Sequence, residues 1–319
     1  MLTLALGALG CGGDKKEAGA KAEKVNVGIV QLVEHAALDA ANKGFVDGLA
    51  SKGYKEGQNI TFDKQNAQAD QSNLQNIAHR FVNNKVDLIC AIATPAAQTV
   101  ANVTSDIPIV ATAVTDYKTA KLVKDDAKPG TNVTGTTDMN PVAEQLDLLL
   151  KLVPNAKTIG TIYCSSEVNS QLQVELLKKA AAAKGITVKE ATVSTVNDIQ
   201  QAARSLAGDV QAVYVPTDNV LASAIPTLIS VTEEAKLPVI CAEGGMVRAG
   251  GLATLGVDYY KLGFQTGVMA ADILSGKAKP ADMAIQAQKE FKPTINLKEA
   301  AKIGLKVPED LLKGAEVIK

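Results

Sequence analysis

From Val25 onward the chain alternates short β-branched runs with longer stretches whose apolar residues recur every three or four positions. VNVGIV (25–30) precedes an amphipathic stretch from Leu38 to Lys52, NITFDKQ precedes a helical pattern from Asn73 to Asn84, and VDLICAIA precedes another helix and then IPIVATAV. Near-continuous apolar strands separated by helix-period segments predict parallel strands buried on both faces, in βαβ order. The pattern then starts again. Gly28 and Gly160, and likewise Gly53 and Gly185, stand about 132 residues apart. VDLICAIATPAA aligns with VQAVYVPTDNVL and IPIVATAV with LPVICAEGG, with Pro108 and Pro238 each preceding the strand. A repeat of this length is a duplicated domain and not a solenoid. The expected architecture is α/β, two doubly wound parallel-sheet lobes with a ligand cleft between them.

The pattern also indicates where the chain changes lobe. VTGTTDMNP breaks the alternation with turn formers around Gly135–Asn140, and Pro141 suits the first turn of the next helix. A second crossing is expected at Leu255–Tyr259, after which a helix from Tyr260 to Ser275 returns to the first lobe. The segment after Glu290 returns to the second. The expected division is 25–137 plus 260–288 for the first lobe and 138–259 plus 289–319 for the second, with 1–24 outside both.

Composition narrows the functions. The 319 residues are 46% hydrophobic and 21% charged, enough for large cores. Lys+Arg at 33 against Asp+Glu at 34 gives a net charge of -1, so no global field favours nucleic acid. No apolar run approaches the roughly 20 residues that span a bilayer as a helix. With two His and four Cys, no metal spacing or nucleophile motif forms, and P-loop, GxGxxG, GxSxG, HExxH and CxxC motifs are missing. The Gly-rich GGMVRAGG (244–251) lacks the spacing of a dinucleotide fingerprint. No enzyme, metal or cofactor is expected.

In open parallel sheets ligands bind beyond the carboxyl ends of the strands, at the switch in strand order. The residues there are Gln31, Glu34 and His35; Asn66, Gln68 and Asp70; Thr94, Pro95, Ala96 and Ala97; Thr112, Thr115 and Asp116 in the first half. The second half supplies Ser165, Ser166, Glu167 and Asn169; Thr217, Asp218 and Asn219; Glu243, Gly244 and Gly245. Short hydrogen-bonding groups with few cations suit a small polar or zwitterionic ligand. ATPAA (93–97) reads as a helix start, Thr94 its N-cap and Pro95 its first turn, with the amides of Ala96 and Ala97 free for a carboxylate. An ordinary capped helix start fits the same letters. Asp218 stands at the equivalent point of the second half, as an anion for an ammonium group or as another cap, and Glu243 is the next candidate. For Glu34, His35 and Glu167 a catalytic role and a solvated loop charge fit the same letters, and with no partner groups in the motifs the solvated charge is the simpler reading.

The first residues, MLTLALGALG followed by Cys11 and a polar stretch to Lys24, resemble a bacterial lipoprotein signal in which Cys11 is acylated and 14–24 form a tether. Cys90, Cys164 and Cys241 lie in strand-like segments and read as small buried hydrophobes, without a disulfide framework.

IVQLVEHAALDAANKGFVDGL, YKEGQNITFDKQNAQADQSNL, AIATPAAQ, TAVTD, VYVPTDN, GGLATLGVDYYKLGFQTG and INLKEAAKIGLKVPEDLL resemble the tryptophan/tyrosine-type substrate-binding lipoproteins of ABC transporters, over nearly all of the chain from Val25. The resemblance implies a periplasmic-binding-protein type I fold. It also implies a monomeric extracytoplasmic receptor, lipid-anchored to the membrane, that passes an amino acid to a permease driven by a separate ATPase. Carried over, the loop Thr94–Ala97 and Thr115 hold the ligand carboxylate and Asp218 its amine. Gln31, Asn66, Ser165, Ser166 and Asn219 complete the polar shell. With Phe 5, Tyr 6 and no Trp, few of them at strand ends, no aromatic stacking cage is evident. A ligand-responsive regulator of the same fold is the alternative, which needs a helix-turn-helix ahead of Val25.

Overall fold

The computed structural model describes residues 24–319; Cys11 and the signal-like segment lie outside them. The first half runs β1 (Val25–Gln31), α1 (Ala36–Ser51), β2 (Ile60–Asn66), α2 (Gln71–Asn83), β3 (Leu88–Ile92), α3 (Thr94–Val103), β4 (Ile109–Val114) and β5 (Val133–Thr137). The second runs α4 (Val142–Leu152), β6 (Thr158–Cys164), α5 (Val168–Ala183), β7 (Thr187–Val193), α6 (Ile199–Ala207), β8 (Val213–Val215), α7 (Asn219–Ser223), α8 (Ile225–Glu234), β9 (Val239–Cys241), α9 (Gly244–Arg248) and β10 (Ala253–Gly256). The chain closes with α10 (Tyr259–Leu274), β11 (Gln286–Ala287), β12 (Lys292–Asn296), α11 (Leu297–Ile303) and β13 (Glu316–Ile318).

Two sheets result. One has the order β11-β5-β4-β3-β1-β2 and the other β13-β12-β10-β9-β8-β6-β7. Five consecutive strands, β5-β4-β3-β1-β2 and β10-β9-β8-β6-β7, follow one order in both, and all their pairings are parallel. The duplication read from the glycines is therefore structural. Gly28 in β1 lies under the Phe81 ring, 2.8 Å from where a Cβ would stand, and Gly160 in β6 lies under Leu206 and Val210. At both positions a helix side chain or its neighbour settles onto bare backbone. Gly53 and Gly185 take φ +93 and +68 just past α1 and α5, the left-handed turn that glycine adopts without steric cost.

β3 and β4 are buried throughout, as expected for strands covered on both faces. The edge strand β2 alternates and carries Asp63, Lys64 and Gln65, charges that blunt an edge. One hydrophobic core fills the first lobe and includes Leu262, Met269, Ala270 and Ile273 of α10. The second lobe has two clusters of buried residues.

α10 follows the second lobe in sequence yet packs on α1 of the first. The approach is close because both helices carry glycine four residues apart, Gly44 and Gly48 facing Gly263 and Gly267. A Cβ on Gly263 would stand 1.9 Å from the Ala41 carbonyl oxygen, and one on Gly48 2.2 Å from that of Phe264.

The chain passes between sheets at 138–141, 257–258 and 288–291. Hydrogen bonds tie these passages to one another. Asn140 Oδ1 accepts from the Val257 N–H at 3.3 Å, and the Tyr259 hydroxyl donates to Asp138 at 2.7 Å. Gln288 accepts from the Asp258 N–H at 3.0 Å and donates to the Asp258 carbonyl at 2.6 Å.

Candidate functional site

The carboxyl ends of the two sheets face each other, and the lobes touch. His35, just beyond β1, meets Asn219 Oδ1 of the second lobe at 3.2 Å. Behind this contact lies an inner cavity lined from both lobes by His35, Leu38, Ala113, Asp138, Asn169, Thr217, Asp218, Asn219, Ala222, Glu243, Met246 and Tyr259. The centre of a water-sized sphere can range over about 10 Å³ of it, the room of one small polar group. Toward the mouth, a larger chamber of about 450 Å³ by the same measure is walled by Leu32, Leu74, Pro95 and Val220. Gln71, Gln98, Thr99, Asn102, Cys164, Ser166 and Ser194 also line it.

The backbone is strained where the first lobe meets the cleft. Ala93 and Ala113, at the ends of β3 and β4, take φ +89 and +56, conformations that an L residue holds only when its surroundings impose them. Ala93 is the residue that caps α3, which moves the helix start by one residue from the sequence reading. Thr94 is the first helical residue and Pro95 the second, and the Ala97 N–H is used by the Ala93 carbonyl at 3.0 Å. Ala97 therefore offers no donor to a ligand. The free donors are the N–H groups of Thr94 and Ala96, which find no partner among the described residues, and the buried Thr94 hydroxyl, also unpartnered. Together with the positive end of the helix dipole they make a corner of unpartnered donors.

Four buried carboxylates stand in the opposite wall and floor. Asp218 caps α7. It accepts from Leu221 N–H at 2.9 Å, Cys164 N–H at 2.6 Å and the Ser170 hydroxyl at 2.7 Å, so both its oxygens face protein donors. Burial pushes its pKa up. Glu167, read from sequence as a solvated charge, is 3% exposed. The amide protons of Asn219 and Val220 and the side-chain amides of Asn169 and Asn219 converge on it, because the start of α5 meets the start of α7 here. Burial, and then the charge of Asp218, push it up to about 8. Glu243 caps α9, accepting from Gly245 and Met246 N–H groups. Asp138, one residue past β5, accepts from the Thr115 hydroxyl at 2.9 Å and the Tyr259 hydroxyl at 2.7 Å, and burial pushes it up as well.

Of the residues singled out by sequence, Thr217, Asp218, Asn219 and Glu243 line the inner cavity, and Thr115 sits on Asp138. Thr94 and Ala96 form the donor corner, and Pro95 and Ser166 face the outer chamber. Three fall outside. Gln31 is buried, but its amide is spent on Asp39, Val33 and Asn42, joining β1 to α1. Asn66 ends an edge strand, away from the switch in strand order, and its exposed side chain accepts from Gln68 N–H at 2.8 Å. Ser165 is exposed beside Val193. Sequence reasoning misses Asp138 and Tyr259 as site residues, because TTDMNP reads as a crossover alone. Asp138 follows a strand end directly, and that position is its signal. Cys90, Cys164 and Cys241 are free and buried, and among the described residues no side-chain group has a metal-binding arrangement.

The family model for ABC transporter substrate binding proteins matches residues 26–319. The chain belongs to that family. This substrate-binding protein is 48% identical over 265 residues to a tyrosine-binding protein of Clostridioides difficile strain R20291, covering 83% of this chain and 76% of the relative. Among solved structures it is similar to an ABC domain from Streptococcus pneumonia in complex with L-Trp, with TM-score 0.90 and 41% identity, covering 93% of this chain and 100% of that one. It is also similar to the ligand-free, open structure of a substrate binding protein with adhesive properties from Clostridium difficile, with TM-score 0.71 and 45% identity, covering 92% and 99%. Two parallel-sheet lobes of this kind are the periplasmic-binding-protein type I fold. The substrate-binding protein is a solute binder and not an enzyme. Members of its family work outside the cytoplasm, and among the described residues no helix is long and apolar enough to cross a membrane.

Proposed function

We propose that this chain is the receptor of an ABC importer that captures an amino acid of the aromatic type between its lobes and presents it to a membrane permease, held to the membrane by a lipid on Cys11. The observation that carries the reading is the cluster of free donors at the start of α3, two N–H groups and the buried Thr94 hydroxyl, set in a cleft shared by both lobes. Such a corner holds a carboxylate through charge-assisted bonds. The outer chamber beside it, walled by Leu32, Leu74, Pro95 and Val220, receives the apolar part of the side chain. The names of the relatives, a tyrosine-binding protein and an L-Trp complex, support the aromatic class. The mass of the N-terminal peptide checks the anchor.

A melting screen against the free amino acids tests the ligand. A ligand that prefers the folded protein at 100 times its Kd adds about 2.7 kcal/mol, so tyrosine or tryptophan raises the midpoint by several degrees while its methyl ester, lacking the carboxylate charge, does not. No rise with any amino acid overturns the reading, and an ester as effective as the acid removes the carboxylate from α3.

A further inference from the structure

Away from the cleft, one buried carboxylate has no donor at all. Glu299, in the first turn of α11, is 2% exposed, and neither of its oxygens finds an N–H or O–H partner among the described residues. A carboxylate in a first turn suits the positive end of the helix dipole, but the capping role is already filled. Asn296 Oδ1 accepts from the Glu299 N–H at 3.1 Å. The partner that a capping box would offer in return, the Asn296 N–H, is taken by the Leu252 carbonyl at 2.8 Å.

What faces Glu299 is another acid. Glu233, next to last in α8, lies against its carboxyl group, and one ammonium serves both. Lys302 Nζ stands 2.5 Å from Glu233 Oε1 and 3.7 Å from Glu299 Oε2. From β9 the Cys241 thiol faces the pair, and burial, then the charges of Glu243 and Glu299, push its pKa well up, so it stays neutral and adds no charge. With both acids ionised the cluster holds two negative charges against one positive, and the surplus sits on oxygens shut away from water. A proton on Glu299 removes the surplus and supplies the missing donor, an O–H directed at the Glu233 carboxylate. Burial first, and then Glu233, push Glu299 up to about 7, while Lys302 holds Glu233 below its ordinary value.

We propose that Glu233, Glu299 and Lys302 form a proton-dependent clamp: the shared proton fastens α11 to α8, and its loss loosens the C-terminal segment while both lobes stay folded. A carboxyl raised on folding contributes stability below its unfolded value and loses that contribution as pH climbs to the folded one, so the clamp holds in acid and slackens above about pH 7. The loosening has a route to the cleft. Asn296, the cap of α11, donates through Nδ2 to the Val247 carbonyl of α9 at 3.2 Å, and Met246 beside it lines the inner cavity. The clamp is independent of which solute the cleft takes.

Hydrogen exchange on the full chain without ligand tests it, with rates corrected for the intrinsic effect of pH and read on Leu297–Ile303 against Leu88–Ile92 of β3. In the wild type the corrected exchange of α11 rises about 5-fold or more from about pH 6 to about pH 8.5, and that of β3 holds. Glu299→Gln, whose amide donates to Glu233 at either pH, keeps α11 protected at both. An α11 equally protected at both pH values in the wild type, a rise shared equally by β3, or the same rise in Glu299→Gln overturns the clamp. Should the variant fail to fold, the carboxyl carbon of Glu299 in the wild type decides by its 13C shift: a titration midpoint near 7 supports the clamp, and one near the ordinary 4.5 overturns it.

Discussion

Glu167 shows how far a residue's behaviour departs from its place in the sequence. Its folded pKa, about 8, lies above the ordinary 4.5, and burial raises Asp138 and Asp218 in the same direction. A carboxyl whose pKa rises on folding binds more protons folded than unfolded. Its contribution to stability is full below the unfolded value and is lost as pH climbs to the folded one. Carboxylates with lowered pKa, such as the exposed Asp198 and the half-buried Glu316, have the opposite sign and act below about pH 4.5. Without ligand, the melting midpoint is therefore expected to fall from about pH 5 to about pH 8. Glu167→Gln lowers the midpoint, since an amide cannot accept from all four donor groups, but flattens the slope. A midpoint that rises across this range contradicts the prediction. None of this is legible from the letters CSSEVN, because burial of Glu167 arises only when α7 arrives from about 50 residues away. Asp218 and Glu243 are legible as strand-end anions, and the structure makes both of them helix caps.

At the scale of elements, the α1–α10 contact shows why one substitution has opposite signs at different places. Alanine is the better helix former by about 1 kcal/mol. At Gly263 its Cβ would meet a backbone oxygen at 1.9 Å, so the helices must separate, at about 1–3 kcal/mol or more. At Gly208, where φ is -82 and nothing lies within 4 Å of the added carbon, the same change adds up to about 1 kcal/mol. Urea midpoints are expected to fall for Gly263→Ala and to hold or rise for Gly208→Ala; equal shifts would refute the packing argument. The element order is readable because parallel strands buried on both faces leave apolar runs such as LICAI and IVATAV, and because the duplication repeats its glycines. The donor set of α3 is less so. Ala93 takes the cap position at a φ that alanine seldom adopts, and composition carries no sign of a backbone conformation imposed by tertiary packing.

At the scale of the whole molecule, the three passages are bonded to one another through Asn140, Tyr259 and Gln288. The lobes meet through His35 and Asn219, and a Cβ on Gly245 would come within 3.2 Å of Ala36. The TM-score falls from 0.90 to 0.71 between relatives of 41% and 45% identity, the second of them an open form. The drop does not follow identity, and it goes with the open form. A ligand held by α3 on one side and by the second lobe's wall on the other gains contacts only when the lobes are together, so it must shift the population toward closure. Small-angle scattering is expected to give a radius of gyration near the compact value of about 20 Å for this length with saturating amino acid. A larger radius is expected without it. Superimposable curves with and without amino acid would mean that binding does not draw the lobes together.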